Sequence, residues 1–207
     1  MTPPELIAAL DVPGLAEEEE ALRRLKGATR WVKVGLQLYT AAGPRAVAAA
    51  REAGFSVFLD LKLHDIPQTV ALAVAEAAKL GASSLSVHLS GGSAMLRAAA
   101  AVPSRPKLWG VSVLTSMADA DLSEAFPGAS VSASVPRLAK LGLSAGVDGI
   151  ICSSADAETV KKAVGGGVPL ITPGIRPAGA DVGDQKRVVD VAQAFKNGAD
   201  YIVVGRP

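Results

Sequence analysis

The run Asp60-Leu61-Lys62-Leu63-His64-Asp65 places acids and a base close together, directly after the apolar stretch 55–59. Side chains of an extended strand alternate between its faces, so if Leu59, Leu61 and Leu63 pack outward, Asp60 and Lys62 point inward together. Lys33 follows the same logic within Trp31-Val32-Lys33-Val34-Gly35, where the flanking valines claim the outer face and turn the ammonium into the same cavity. Asp11, at the end of the first apolar run, adds a fourth charge. Opposed charges drawn out of water are costly unless paired, and titrating groups gathered at strand ends are candidates for proton transfer and charge stabilisation. One Asp-x-Lys alone reads equally well as a structural ion pair plugging a core. Three neighbouring strands that each bring an ionisable group to the same end favour a site, because apolar packing would serve stability as well.

A second chemistry is written further on, in Pro173-Gly174-Ile175-Arg176-Pro177 and Gly205-Arg206-Pro207. Glycine lets backbone N–H groups approach an anion, and a guanidinium grips phosphate oxygens through two parallel hydrogen bonds. Either loop alone could be a turn with a solvated arginine; the pair predicts a phosphorylated substrate. The polar stretch 177–185 between them is long for a connection and is expected to act as a lid over that phosphate. His64 and His88 lack the neighbouring His, Asp or Cys spacing of a metal site and read as packed or hydrogen-bonded side chains, and Cys152 reads as a small buried apolar residue.

The elements that must carry these residues are eight short β-rich runs, at 6–12, 31–38, 55–62, 84–90, 107–114, 147–153, 168–173 and 201–206. Ala-rich amphipathic segments lie between them at 16–26, 43–53, 66–80, 93–101, 134–145, 155–164 and 185–197, several followed by a C-capping glycine such as Gly54 or Gly81. This alternation predicts an α/β fold, a single-domain (β/α)8 TIM barrel over 1–207, with a doubly wound open sheet as the alternative. The polar and glycine-rich residues gather at the C-terminal ends of the strands, the face where barrel enzymes carry their sites. No eighth helix follows Pro207, so the barrel is expected to lack its final helix through missing C-terminal residues.

With 21 basic against 20 acidic residues there is no global field to draw nucleic acid or an anionic membrane, so an anionic ligand must be caught locally. A single cysteine excludes an intrachain disulfide, and no apolar run reaches the roughly 18 residues of a membrane span. The N-terminal run MTPPELIAALDV has no signal-peptide pattern, and a cytoplasmic protein is expected.

The motifs in order, Ala9-Leu10-Asp11-Val12, Val32-Lys33-Val34-Gly35, the stretch from Asp60 through Ile66-Pro67-Gln68 to Thr69, Val113-Leu114-Thr115-Ser116, Pro173 to Pro177 and Gly205-Arg206-Pro207, resemble the orotidine 5'-monophosphate decarboxylase family in its short bacterial form, over nearly the whole chain. The resemblance implies decarboxylation of orotidine 5'-monophosphate to uridine 5'-monophosphate in pyrimidine biosynthesis, with no cofactor and no metal. It implies that Lys33, Asp60, Lys62 and Asp65 form the charged catalytic network, with Lys62 stabilising and protonating a C6 carbanion. Asp11 and Lys33 would contact the ribose, Thr115 the pyrimidine ring, Gln185 the ring and phosphate, and Arg176, Gly205 and Arg206 the phosphate. It further implies a homodimer in which Asp65 and Thr69 reach into the partner's site. The sequence is also similar to 3-keto-L-gulonate 6-phosphate decarboxylase, a Mg2+-dependent relative, but that family has a metal-binding Glu where Lys33 stands, and an ammonium there repels Mg2+. A barrel that binds a phosphometabolite without turning it over is the non-enzymatic alternative.

Overall fold

The computed structural model describes residues 4–175 and 191–205. Eight parallel strands pair in chain order, and the last returns to the first, so the sheet closes into a barrel. They are β1 (Glu5–Ala9), β2 (Trp31–Gly35), β3 (Ser56–Leu63), β4 (Ser84–His88), β5 (Lys107–Val111), β6 (Gly149–Ile151), β7 (Leu170–Thr172) and β8 (Tyr201–Val204). Closure excludes the open-sheet alternative and leaves no unpaired edge. Around the barrel lie α1 (Leu15–Leu25), α2 (Leu36–Ala42), α3 (Pro44–Glu52), α4 (Pro67–Lys79), α5 (Gly92–Ala100), α6 (Asp119–Ala125), α7 (Val131–Ser144), α8 (Ala157–Val164) and α9 (Val191–Lys196).

Strand alternation sorts the apolar residues into two layers. Val32 and Val34 of β2, Val57 and Leu59 of β3, and Leu85 and Val87 of β4 face outward and pack with the helices. The opposite faces send Ile7, Trp31, Phe58, Trp109, Val111, Ile151, Ile171 and Val203 into the barrel, where they form a separate cluster. Its centre is aromatic: Trp109 lies 4.6 Å from Phe58, 5.6 Å from Trp31 and 5.2 Å from Tyr201, ring centre to ring centre. Burying a side chain such as Phe58 contributes about 1.5–3 kcal/mol, so this plug is a main source of barrel stability as well as a floor for whatever lies above it.

Except for β3, which continues to Leu63, the paired strands stop short of the apolar runs. The run 31–38 divides at Gly35, after which Leu36 starts α2 directly, and Asp11 and Leu114 lie beyond the last paired residues of β1 and β5. These residues leave the sheet at its C-terminal rim, where the loops form. Two helices absent from the sequence reading, α2 and α6, occupy such segments. Helix α6 is started by the Asp121 carboxylate, which accepts the Ala118 N–H at 2.7 Å. Helix α7 starts at Val131, three residues before the expected 134, because the Ser130 hydroxyl accepts the Ala133 N–H at 3.4 Å. Gly54 and Gly81 do end α3 and α4 in left-handed backbone, with φ of 92° and 73°.

Candidate active site

At the C-terminal rim a cavity of about 240 Å³ opens above the aromatic plug, with Phe58, Val111, Ile151, Ile171 and Val203 as its apolar base. Asp11, Lys33, Asp60, Lys62, Thr115 and Gly205 line it together. Six positions chosen from sequence, on β1, β2, β3, β5 and β8 or the loops that follow them, thus converge on one space.

The four charges form an alternating chain. Lys33 Nζ lies 3.1 Å from Asp11 Oδ1 and 3.8 Å from Asp60 Oδ2, and Lys62 Nζ lies 2.9 Å from both Asp60 oxygens. Asp60 is 8% exposed, so its charge depends on these two ammonium groups for compensation. Space for the Lys33 head is left by Gly35, where a Cβ would come within 2.7 Å of Nζ. Gly205 stands against Asp11 in a similar way, a Cβ there meeting Asp11 Oδ2 at 3.2 Å.

Lys62 does not reach Asp60 by simple strand alternation. The β3–β4 register pairs Leu59 with Leu85 and then Leu63 with Val87, so three residues of β3 bulge out opposite Ser86 alone. Within that bulge Lys62 is left-handed, with φ of 50°. For a long side chain this costs of order 1–3 kcal/mol and persists only where the surroundings hold it. The irregularity folds the lysine back so that its ammonium lies over the carboxylate two residues earlier. Ser86, buried on the inward face of β4, donates its hydroxyl to Asp60 Oδ1 at 2.8 Å and accepts the Lys62 N–H at 2.8 Å. Sequence reading missed Ser86; the available signal was Ser84-Leu85-Ser86-Val87-His88, polar at every second position of a strand.

Asp65 and Thr69 are exposed and line no part of this cavity. Among the described residues no ion pair joins Asp65 to Lys33 or Lys62; its carboxylate accepts the Ile66 N–H at 2.6 Å. His64 and His88 stack with ring centres 5.4 Å apart. Burial, with His64 and the Lys62 cation nearby, pushes His88 below the ordinary imidazole range, so it stays neutral near pH 7 and adds no charge beside Lys62. Among the described residues no three metal-ligating side chains cluster. Cys152 is buried as expected, and it lines the cavity. Of the two glycine-containing loops expected to hold a phosphate, Pro173, Gly174 and Gly205 border the same space. Arg176, Gln185, Arg206 and the expected lid lie outside the described residues.

Fold and site together define a (β/α)8 barrel that carries an alternating acid–lysine network at the C-terminal ends of its strands. The family model of the Orotidine 5'-phosphate decarboxylase / HUMPS family matches residues 4–207. An orotidine 5'-phosphate decarboxylase of Vibrio cholerae serotype O1 is 44% identical, over 100% of this chain and 92% of its own. One of Alcanivorax borkumensis is 45% identical, over 98% and 89%. Among solved structures, an orotidine 5'-phosphate decarboxylase from Lactobacillus acidophilus superposes with a TM-score of 0.82 at 34% identity, covering 99% of this chain and 91% of that one. The chain belongs to the orotidine 5'-phosphate decarboxylase / HUMPS family.

Proposed function

We propose that this protein decarboxylates orotidine 5'-monophosphate to uridine 5'-monophosphate, the reaction named for its relatives, without metal or organic cofactor. The observation that carries this reading is the Asp11–Lys33–Asp60–Lys62 chain above an apolar floor. Loss of CO2 from C6 of the pyrimidine leaves an electron pair in the ring plane, where the ring gives it little delocalisation. A fixed cation must do that work. The Lys62 ammonium, aimed by Asp60, stabilises the developing negative charge, then transfers a proton to C6 and regains one from water.

Asp60 is assigned a place beside the departing carboxylate. Two like charges about 4 Å apart repel by roughly 4 kcal/mol at an effective dielectric near 20, which favours loss of CO2 and departure from the ground state. Thr115 is assigned to the pyrimidine ring, Asp11 and Lys33 to the ribose hydroxyls, and Gly205, with Arg176, Arg206 and Gln185, to the phosphate. Asp65 and Thr69 are assigned to the site of a second copy of the chain. Their exposure in a single chain, beside the 66% exposed Ile66, suits that role.

Metal independence is supported by Lys33, whose ammonium stands between the Asp11 and Asp60 carboxylates, where a divalent ion would otherwise be drawn. The test is the fall in ultraviolet absorbance of orotidine 5'-monophosphate with purified protein in excess EDTA. Rapid turnover is expected. Turnover that needs added Mg2+, or none by folded protein, overturns the reading.

A further inference from the structure

We propose that Ser86 is a positioning residue for this reaction, its single hydroxyl fixing both the backbone of Lys62 and the carboxylate that aims the Lys62 ammonium. The inference rests on the decarboxylase reading above. Its ground is a closed ring of hydrogen bonds. The Lys62 N–H donates to Ser86 Oγ at 2.8 Å, the Ser86 O–H donates to Asp60 Oδ1 at 2.8 Å, and Asp60 receives the Lys62 ammonium at 2.9 Å on each oxygen.

The bulge explains why a hydroxyl is needed there. Between the Leu59–Leu85 and Leu63–Val87 pairs the regular β3–β4 ladder is interrupted, and the Lys62 N–H turns to the Ser86 side chain for its acceptor. A serine hydroxyl has one proton to give; accepting from Lys62 on its lone pair directs that proton to Asp60. Ser86 is fully buried, so water cannot take over either bond. The left-handed φ of Lys62 is thereby tied to the orientation of Asp60, and neither can relax alone. Ser86 touches no substrate in this scheme. It acts through the two groups that do, and removing it lets the ammonium and carboxylate drift from the geometry the transition state requires.

The test compares Ser86→Ala and Ser86→Cys with the wild type on orotidine 5'-monophosphate. Cysteine keeps the shape of serine but is a weak donor and acceptor, so it separates the hydroxyl from mere packing. Both variants are expected to lose roughly 10- to 100-fold in kcat, with KM within about threefold of wild type. Wild-type kcat in either variant, or a loss confined to KM, overturns the proposal. Failure of the wild type to turn over the nucleotide sinks the decarboxylase reading instead. Amide hydrogen exchange at Lys62 then still reads the local claim: exchange must be faster in Ser86→Ala, and unchanged exchange refutes it.

Discussion

Lys62 combines three unusual conditions: a left-handed backbone, a bulged strand and an ammonium clasped by one carboxylate. In the proposed mechanism alanine here would remove both charge stabilisation and the proton donor, so Lys62→Ala is expected to lower kcat by more than about 10^4-fold in the absorbance assay. Gly35 supports the neighbouring lysine from below. In Gly35→Ala the new Cβ would press on Lys33 Nζ, the mobile end of a flexible chain, so the ammonium moves rather than the backbone. The expected result is a loss of roughly tenfold in kcat/KM with little change in melting temperature. Unchanged kinetics would show that the Lys33 head needs no fixed seat. Lys33 and Asp60 were legible, because charges between outward-facing leucines and valines declare which way they point, whereas Lys62 is turned into place by the bulge. Ser86 was not, since a serine in a strand is ordinary and its role depends on a register shift between two strands far apart in sequence.

At the scale of elements, hydrophobic runs identified all eight strands and overran the C-terminal ends of all but β3, which continues to Leu63. Leu36-Gln37-Leu38 continues the apolar pattern of β2, yet Leu38 is buried from α2 and not from the sheet. Short runs of this kind satisfy either periodicity, and only packing separates them. Helix α1 holds a different surprise: Glu18 is fully buried on its inner face, and neither carboxyl oxygen has a hydrogen-bond partner among the described residues. Burial, with Glu19 beside it, raises its pKa from 4.5 to about 7. The folded state therefore holds this proton more tightly than the unfolded chain. The associated stability is fully present below pH 4.5 and is lost as pH rises through about 7. Glu18→Leu removes the liability, so its advantage over wild type in urea unfolding should grow by up to about 3 kcal/mol between pH 4.5 and pH 8. A constant difference across that range would mean Glu18 finds a charge partner in solution.

The molecule as a whole joins two rings of packing, with the charged network at the rim of the inner one. Its barrel topology was readable from the count and order of strands, because a closed sheet is the economical way for a short chain to satisfy eight of them. Assembly was not readable from periodicity. Asp65, Ile66 and Thr69 stand exposed together, with Leu72 of α4 59% exposed nearby in sequence. If two copies share sites there, Lys62→Ala and Asp65→Ala chains should complement each other. Each mixed dimer would carry one intact site, so equal mixing and re-equilibration should restore about a quarter of wild-type activity. Additive residual activity alone would mean that each chain works by itself.

The aromatic plug also makes the barrel its own optical reporter. The chain has two tryptophans, Trp31 and Trp109, and both are inside the barrel, stacked beneath the cavity. Intrinsic fluorescence therefore records the wetting of that one compartment, with no tryptophan on any helix to dilute the signal. A fluorescence transition that lags the loss of helical circular dichroism would reveal a barrel that outlives its outer ring.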